Sequence, residues 1–142
     1  MLFSIYMLPL SNIIRQYDIN SHSYADDTQL YVPIKPNNTS QTKNLETCLS
    51  EIKQWMNSNF LLLNTDKTEL LIVGSPNQTH HYENLIINID NCTVSGSPTV
   101  KNLGIILDSH LTFQPHIKAI TKSAFFHLRN IAKNPAHPII LR

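Results

Sequence analysis

Two adjacent aspartates, Asp26 and Asp27, are the residues of this sequence best suited to chemistry. Neighbouring carboxylates repel each other unless a cation neutralises them, and two hard oxygen ligands on a rigid turn suit Mg²⁺. The plain alternative is a solvated surface turn, since Asp accepts turn geometry and bonds nearby backbone groups. The flanks bear on the choice. Tyr24, Tyr31, Val32 and Ile34 belong to a strand vocabulary and predict two short strands joined by a tight turn at the Asp pair. So apolar a hairpin is expected to be largely buried, where an acidic pair without a cation or basic partner is hard to sustain. A second candidate group is Lys118, Lys122, Arg129 and Lys133, spaced by 4, 7 and 4 residues. That spacing puts them on one helix face, opposite the apolar stripe, where they are able to follow phosphates or simply face water. His80 and His81 are read as loop, because adjacent imidazoles seldom converge on one ion and no Cys or carboxylate is spaced to complete the set. Only three glycines occur, so no glycine-rich phosphate cradle is present, and no Ser-His-Asp arrangement follows from the order of residues.

The elements that position these groups follow from periodicity. Residues 2 to 17 read as a buried helix broken near Pro9. Residues 33 to 41 read as a loop. Leu45, Cys48, Leu49, Ile52, Trp55 and Met56 share one face of a helix over 42–57, with Glu46, Lys53 and Asn57 on the other. Asn64 to Lys67 predicts a turn and Thr68 to Val73 a short strand. Leu85, Ile87 and Ile89 alternate with Ile86, Asn88 and Asp90 and predict a hairpin into Cys92 to Val94. Val100 to Leu107 reads as one strand, with Gly104 a bulge or a point of close backbone approach. A last amphipathic helix is expected from Pro115 to Lys133, with Ile117, Ile120, Ala124, Leu128 and Ile131 facing inward and Pro135 ending the element. Strands and helices alternate without regular βαβ units, so the fold class is α+β. No internal repeat is evident.

Composition sets the bounds. The chain has 142 residues, 42% hydrophobic and 15% charged, enough for one hydrophobic core and too little for two. Its formal net charge of +1 is unevenly spread: residues 1–100 hold five basic and nine acidic side chains, residues 101–142 six basic and one acidic. A basic tail follows a mildly acidic body. Cys48 and Cys92 are far apart, which suggests neither a disulfide framework nor a zinc site and suits a reducing compartment. The apolar opening MLFSIYMLPL has neither the charge nor the length of a signal peptide or membrane span, so an intracellular location, nuclear or cytoplasmic, is expected.

Tyr24-Ala25-Asp26-Asp27, continuing as Thr28-Gln29-Leu30-Tyr31, resembles the YADD motif of reverse transcriptases in the form found in LINE-type non-LTR retrotransposons. The leading FSIYMLPL is similar to the helix after the QG-containing motif B of that family, and EIKQWMNSNFLLLNTDKTELLIVG (51–74) resembles its motif D region. VKNLGIILD (100–108) resembles the primer grip, and the basic helix after it the start of a thumb. The resemblance implies a partial polymerase palm over 1–112, antiparallel strands with the YADD hairpin packed on helices, followed by a thumb-like segment over 113–142. It implies that Asp26 and Asp27 ligate catalytic Mg²⁺, with Asp27 the lesser ligand. Tyr24, Leu103 and Gly104 would lie near primer and nucleotide, and Lys67 would approach the incoming triphosphate and protonate the departing pyrophosphate. A solvated turn lysine is the equal alternative for Lys67. RNA template and DNA primer are the implied partners, and no membrane is.

The same comparison shows what these residues lack. The family draws a further metal-binding aspartate from an F-x-D motif A, and no carboxylate here matches that pattern: Glu46, Glu51, Asp66, Glu69, Asp90 and Asp108 all stand in other contexts. Mg²⁺ affinity is therefore expected to be weak or absent. The expected function is part of an RNA-directed DNA polymerase that is inactive alone, the alternative being a non-catalytic remnant that binds nucleic acid through its basic helix.

Overall fold

A computed structural model describes residues 5–35, 40–90 and 92–133. The expected start of the first helix at residue 2, part of the 33–41 loop and the stop at Pro135 lie outside the described residues. The elements in order are α1 (Leu8–Gln16), β1 (Asn20–Tyr24), β2 (Asp27–Tyr31), α2 (Ser40–Ser58), β3 (Leu70–Leu71), α3 (Pro76–Thr79), β4 (Ile86–Ile89), β5 (Cys92–Ser97), β6 (Thr99–Asn102), β7 (Ile105–Asp108) and α4 (Gln114–Lys133). Short 3₁₀ turns cover Thr65–Lys67 and His80–Tyr82. The class is α+β with antiparallel strand pairs, as the sequence predicts. Among the described residues no helix is long and apolar enough to cross a membrane.

The chain divides into two compact units, residues 1–69 with 83–96, and residues 70–82 with 97–142. Among the described residues the first contains all the buried apolar side chains: Leu10 and Ile14 from α1, Ile19, Leu45, Cys48 and Ile52 from α2, and Ile87 and Ile89 from β4. Three of the six apolar positions anticipated on α2 are thus fully buried, and β4 alternates as expected, with Ile87 and Ile89 inward and Ile86 and Asn88 outward. The break expected near Pro9 is at Met7, between the helical residues Ile5 and Tyr6 and the start of α1, and Pro9 occupies the first turn of α1, where its missing N–H costs no hydrogen bond. Polar contacts complete this unit. Asn44 Nδ2 donates to the Tyr17 carbonyl at 2.7 Å, at the end of α1. Glu46 Oε1 accepts from the Asn88 backbone N–H at 2.8 Å and from Asn88 Nδ2 at 2.9 Å, tying β4 to α2. Asp90, at the β4–β5 turn with φ 52°, accepts from Ser50 at 3.0 Å and pairs with Lys53 at 2.8 Å. Cys48 is inert as a nucleophile, because burial first and Glu51 second push its thiol up to about 11.

The second unit departs more from expectation. Residues 100–107 are not one strand but a hairpin, β6 paired with β7 from Thr99↔Asp108 to Asn102↔Ile105. Leu103 (φ 46°) and Gly104 (φ 85°) form its two-residue loop, the pattern of a type I′ turn, and nothing lies within 4 Å of where a Gly104 side chain would start. Gly104 is neither a bulge nor a close approach. The strand expected over 68–73 shrinks to Leu70–Leu71, and Gly74 instead donates its N–H to the Ser109 carbonyl at 3.0 Å. The helix α4 forms where predicted, but the side chains expected to face inward do not: Ile117, Ile120, Leu128 and Ile131 are all more than half exposed. Amphipathic periodicity fixes which residues share a face, whereas burial needs a second layer to cover that face. Near its start, His116 Nδ1 accepts from the Ile106 N–H of β7 at 3.3 Å.

Ile89→Ala is expected to destabilise the first unit by about 2–5 kcal/mol, whereas Ile86→Ala, on the exposed side of the same strand, changes it by under about 0.5 kcal/mol. Urea unfolding followed by Trp55 fluorescence measures both.

Candidate acidic hairpin and basic helix

The strands β1 and β2 pair in register from Asn20↔Tyr31 to Tyr24↔Asp27, which leaves Ala25 and Asp26 as the loop. The turn is therefore one residue earlier than an Asp-Asp turn: Asp26 is at the tip and Asp27 opens β2. Ala25 has φ 54° and Asp26 no positive φ, the signature of a type II′ turn, in which glycine normally occupies the first position. An alanine in that region carries strain of about 1–2 kcal/mol. Cross-strand partners point to the same face, so Asp27 shares a face with Tyr24. On the opposite face Ser23 Oγ and Thr28 Oγ1 are 3.2 Å apart and hydrogen-bond across the strands.

Burial corrects the expectation made for this hairpin. β1 is exposed throughout, β2 is exposed at both ends and half-buried between, and Asp26 and Asp27 are exposed. Tyr24 is 64% exposed and Tyr31 50%. Aromatic flanks thus do not signal a buried pair here, because β1 and β2 form a two-stranded sheet with no third strand among the described residues. Water screens the two carboxylates instead.

The other predicted residues fall as follows. Lys67, in the same unit as the hairpin, is exposed and ends the 3₁₀ turn Thr65–Lys67, whose start is capped by the Asn64 side chain accepting the Lys67 N–H at 3.3 Å. Leu103 and Gly104 are the exposed tip of the β6–β7 hairpin in the second unit. Lys118, Lys122, Arg129 and Lys133 are exposed along α4, also in the second unit. His80 and His81 lie edge to face within the 3₁₀ turn His80–Tyr82, 6.4 Å between ring centres.

Asp108 is the residue whose importance the sequence reading missed, counting it only as a leftover carboxylate. It is the one buried charged side chain among the described residues. Its Oδ2 accepts from the Thr112 N–H and hydroxyl, both at 3.0 Å, and its Oδ1 from the Phe113 N–H at 2.8 Å. The carboxylate thus fastens the end of β7 to the chain entering α4 and satisfies donors that precede the helix. Burial pushes its carboxyl up, but these hydrogen bonds outweigh burial and leave it below the usual carboxylate range. The available signal was Thr112 with Pro115 three residues later, a helix-start pattern with an acid, Asp108, four residues upstream.

The family model of reverse transcriptase (RNA-dependent DNA polymerase) matches residues 1–107, a span that holds the acidic hairpin, the Lys67 turn and nearly all of β6–β7. The chain belongs to the reverse transcriptase family. Comparison with curated proteins and with solved structures gives no match. Membership implies template and primer nucleic acid as ligands and a divalent metal in the intact enzyme. Asp26 and Asp27 offer oxygen donors, but among the described residues no group of three or more His, Cys, Asp or Glu side chains comes together. A pair of ions clamped together needs shared carboxylates beyond these two, so the donor set does not fit a two-ion centre.

Two outcomes follow. Ala25→Gly relieves the positive φ and should slow amide exchange in β1 and β2, equivalent to a gain of about 0.5–1 kcal/mol; faster exchange would contradict the turn assignment. Asp108 has a depressed carboxyl in the folded chain, so its contribution is present at neutral pH and is lost as pH falls through that depressed value. Circular dichroism should show Asp108→Asn less thermally stable than the wild type at pH 7, with the difference shrinking as pH falls below the usual carboxylate range.

Proposed function

We propose that the chain is the later part of a reverse transcriptase palm with the beginning of its thumb, from a LINE-type non-LTR retrotransposon, and that it does not synthesise DNA by itself. The observation that carries this reading is the acidic turn inside the matched span: Asp26 at the tip of a two-residue loop and Asp27 beside it, with no third ligand gathered around them among the described residues. The YADD letters, the motif D segment containing Lys67 and the primer-grip segment containing Leu103 and Gly104 support the LINE-type assignment. In the intact enzyme a divalent metal, which we take to be Mg²⁺, would supply activation of the primer hydroxyl and charge stabilisation at the leaving pyrophosphate. This chain contributes Asp26 as a ligand, Asp27 as a second carboxylate, Tyr24 toward the primer end and Lys67 as an exposed ammonium for the triphosphate. The palm is assigned to 1–112 and the thumb segment to 113–142.

Primer extension on an RNA template with Mg²⁺ or Mn²⁺ tests the proposal. No incorporation above background is expected, with or without Asp26→Asn. Template-dependent synthesis that Asp26→Asn abolishes would overturn it.

A second reading rests on α4, which has four exposed cations and no acidic residue between Gln114 and Lys133. It makes the chain a binder of nucleic acid backbones without catalysis. Lys118→Glu with Lys122→Glu should then reduce the slope of log affinity against log salt for an RNA·DNA duplex by about 2; an unchanged slope rejects this reading.

A further inference from the structure

Beyond the polymerase assignment, the contact between β7 and the start of α4 has a chemistry of its own. β7 is an edge strand of its two-stranded sheet. With Asn102↔Ile105 closing the two-residue loop, Lys101↔Ile106 is the kind of pair whose backbone hydrogen-bonding groups point away from the partner strand. The Ile106 N–H therefore faces outward, where a bare edge invites another strand. His116, half-buried in the first turn of α4, closes it by accepting that N–H on Nδ1 at 3.3 Å. The same device recurs in the first unit, where Asn88 of the edge strand β4 has its N–H covered by the Glu46 carboxylate at 2.8 Å.

His116 differs from the other polar groups of this junction in what acid does to it. Because Nδ1 accepts, the neutral ring carries its proton on Nε2 and keeps the lone pair on Nδ1. A second proton would turn that acceptor into a donor facing a donor. Imidazole takes up such a proton between about pH 5 and 8. His110, between β7 and α4, has the opposite sense: its Nδ1 lies 2.9 Å from the Gly74 carbonyl and must donate, so that bond survives protonation. Asp108, held below the usual carboxylate range, keeps its bonds to Thr112 and Phe113 there as well.

We propose that His116 is an acid-released latch: neutral, it closes the β7 edge and ties the first turn of α4 to the hairpin; protonated, it frees Ile106 while Asp108 still holds the junction. The titratable groups around it are Asp108 on β7, His110 on the connecting segment, Lys101 opposite Ile106 on β6, and Lys118 two residues on in α4. Among the described residues none of them forms an ion pair with the ring. The positions one helical turn away, Thr112, Phe113, Ala119 and Ile120, carry no charge.

Amide hydrogen exchange of the full chain at about pH 7.5 and about pH 5.5, each rate divided by that of an unstructured chain at the same pH, is the test. Ile106 is expected to lose about two- to tenfold of its protection at the lower pH, while Thr112 and Phe113 keep theirs. In His116→Asn the side-chain oxygen accepts at either pH and should keep Ile106 protected at both; His116→Phe should leave it less protected at both. Nitrogen-15 spectra of the wild-type imidazole, which need no variant, should show Nδ1 without a proton at the higher pH. Equal Ile106 protection at both pH values in the wild type overturns the proposal, as does a pH dependence that persists in His116→Asn. So does loss of protection at Thr112 and Phe113 by the same factor, or a proton on Nδ1 at the higher pH.

Discussion

Electrostatic repulsion between consecutive carboxylates governs what the acidic hairpin is able to be. Asp26 and Asp27 are held close by the covalent chain, and the positive φ of Ala25 that places Asp26 at the tip adds strain to repulsion. In a low-dielectric interior such a pair would protonate or demand a cation. Exposure removes the demand: with both side chains in water the hairpin persists without an ion, held by its ladder and by the Ser23–Thr28 hydroxyl pair. The same exposure leaves the pair a weak ligand, since water competes for any cation and no third carboxylate among the described residues joins in. A solvated pair of carboxylates at a hairpin tip, with no third ligand gathered beside it among the described residues, is the physical content of the functional reading.

The two units are stabilised differently. The first has an apolar core, in which α1, α2 and β4 each contribute isoleucine or leucine, and its polar contacts from Glu46, Ser50 and Lys53 tie the β4–β5 hairpin to α2. The Lys53–Asp90 pair is largely at the surface and fixes register more than it stabilises. The second unit has no buried apolar side chain among the described residues, and Asp108 takes the organising position instead. Three hydrogen bonds to one carboxylate define where β7 ends and α4 begins. Such a junction depends on charge and geometry rather than on apolar area, which is why it responds to acid.

What could be read from the sequence was local. The 3.6-residue pattern of Leu45, Cys48 and Ile52 and the alternation of Ile87 and Ile89 each name a face, and the structure buries those faces. The YADD letters located the acidic turn to within a residue. The errors arose where the outcome depends on neighbours or on an unusual backbone. The β6–β7 hairpin was hidden because its loop places Leu103 at positive φ, where Asn or Asp would have announced a type I′ turn. Tyr24 and Tyr31 look like core residues but stand exposed, because apolar composition cannot say whether a covering layer is present. The open stripe of α4 is the same error at helix scale.

Titration of the chain with Mn²⁺, followed by paramagnetic broadening of backbone amide resonances, tests the half-site most directly. The account predicts broadening centred on Ala25, Asp26 and Asp27, a dissociation constant on the order of millimolar, and its loss in Asp26→Asn. Two ions bound together at micromolar affinity, or broadening centred elsewhere with the hairpin untouched, would contradict it.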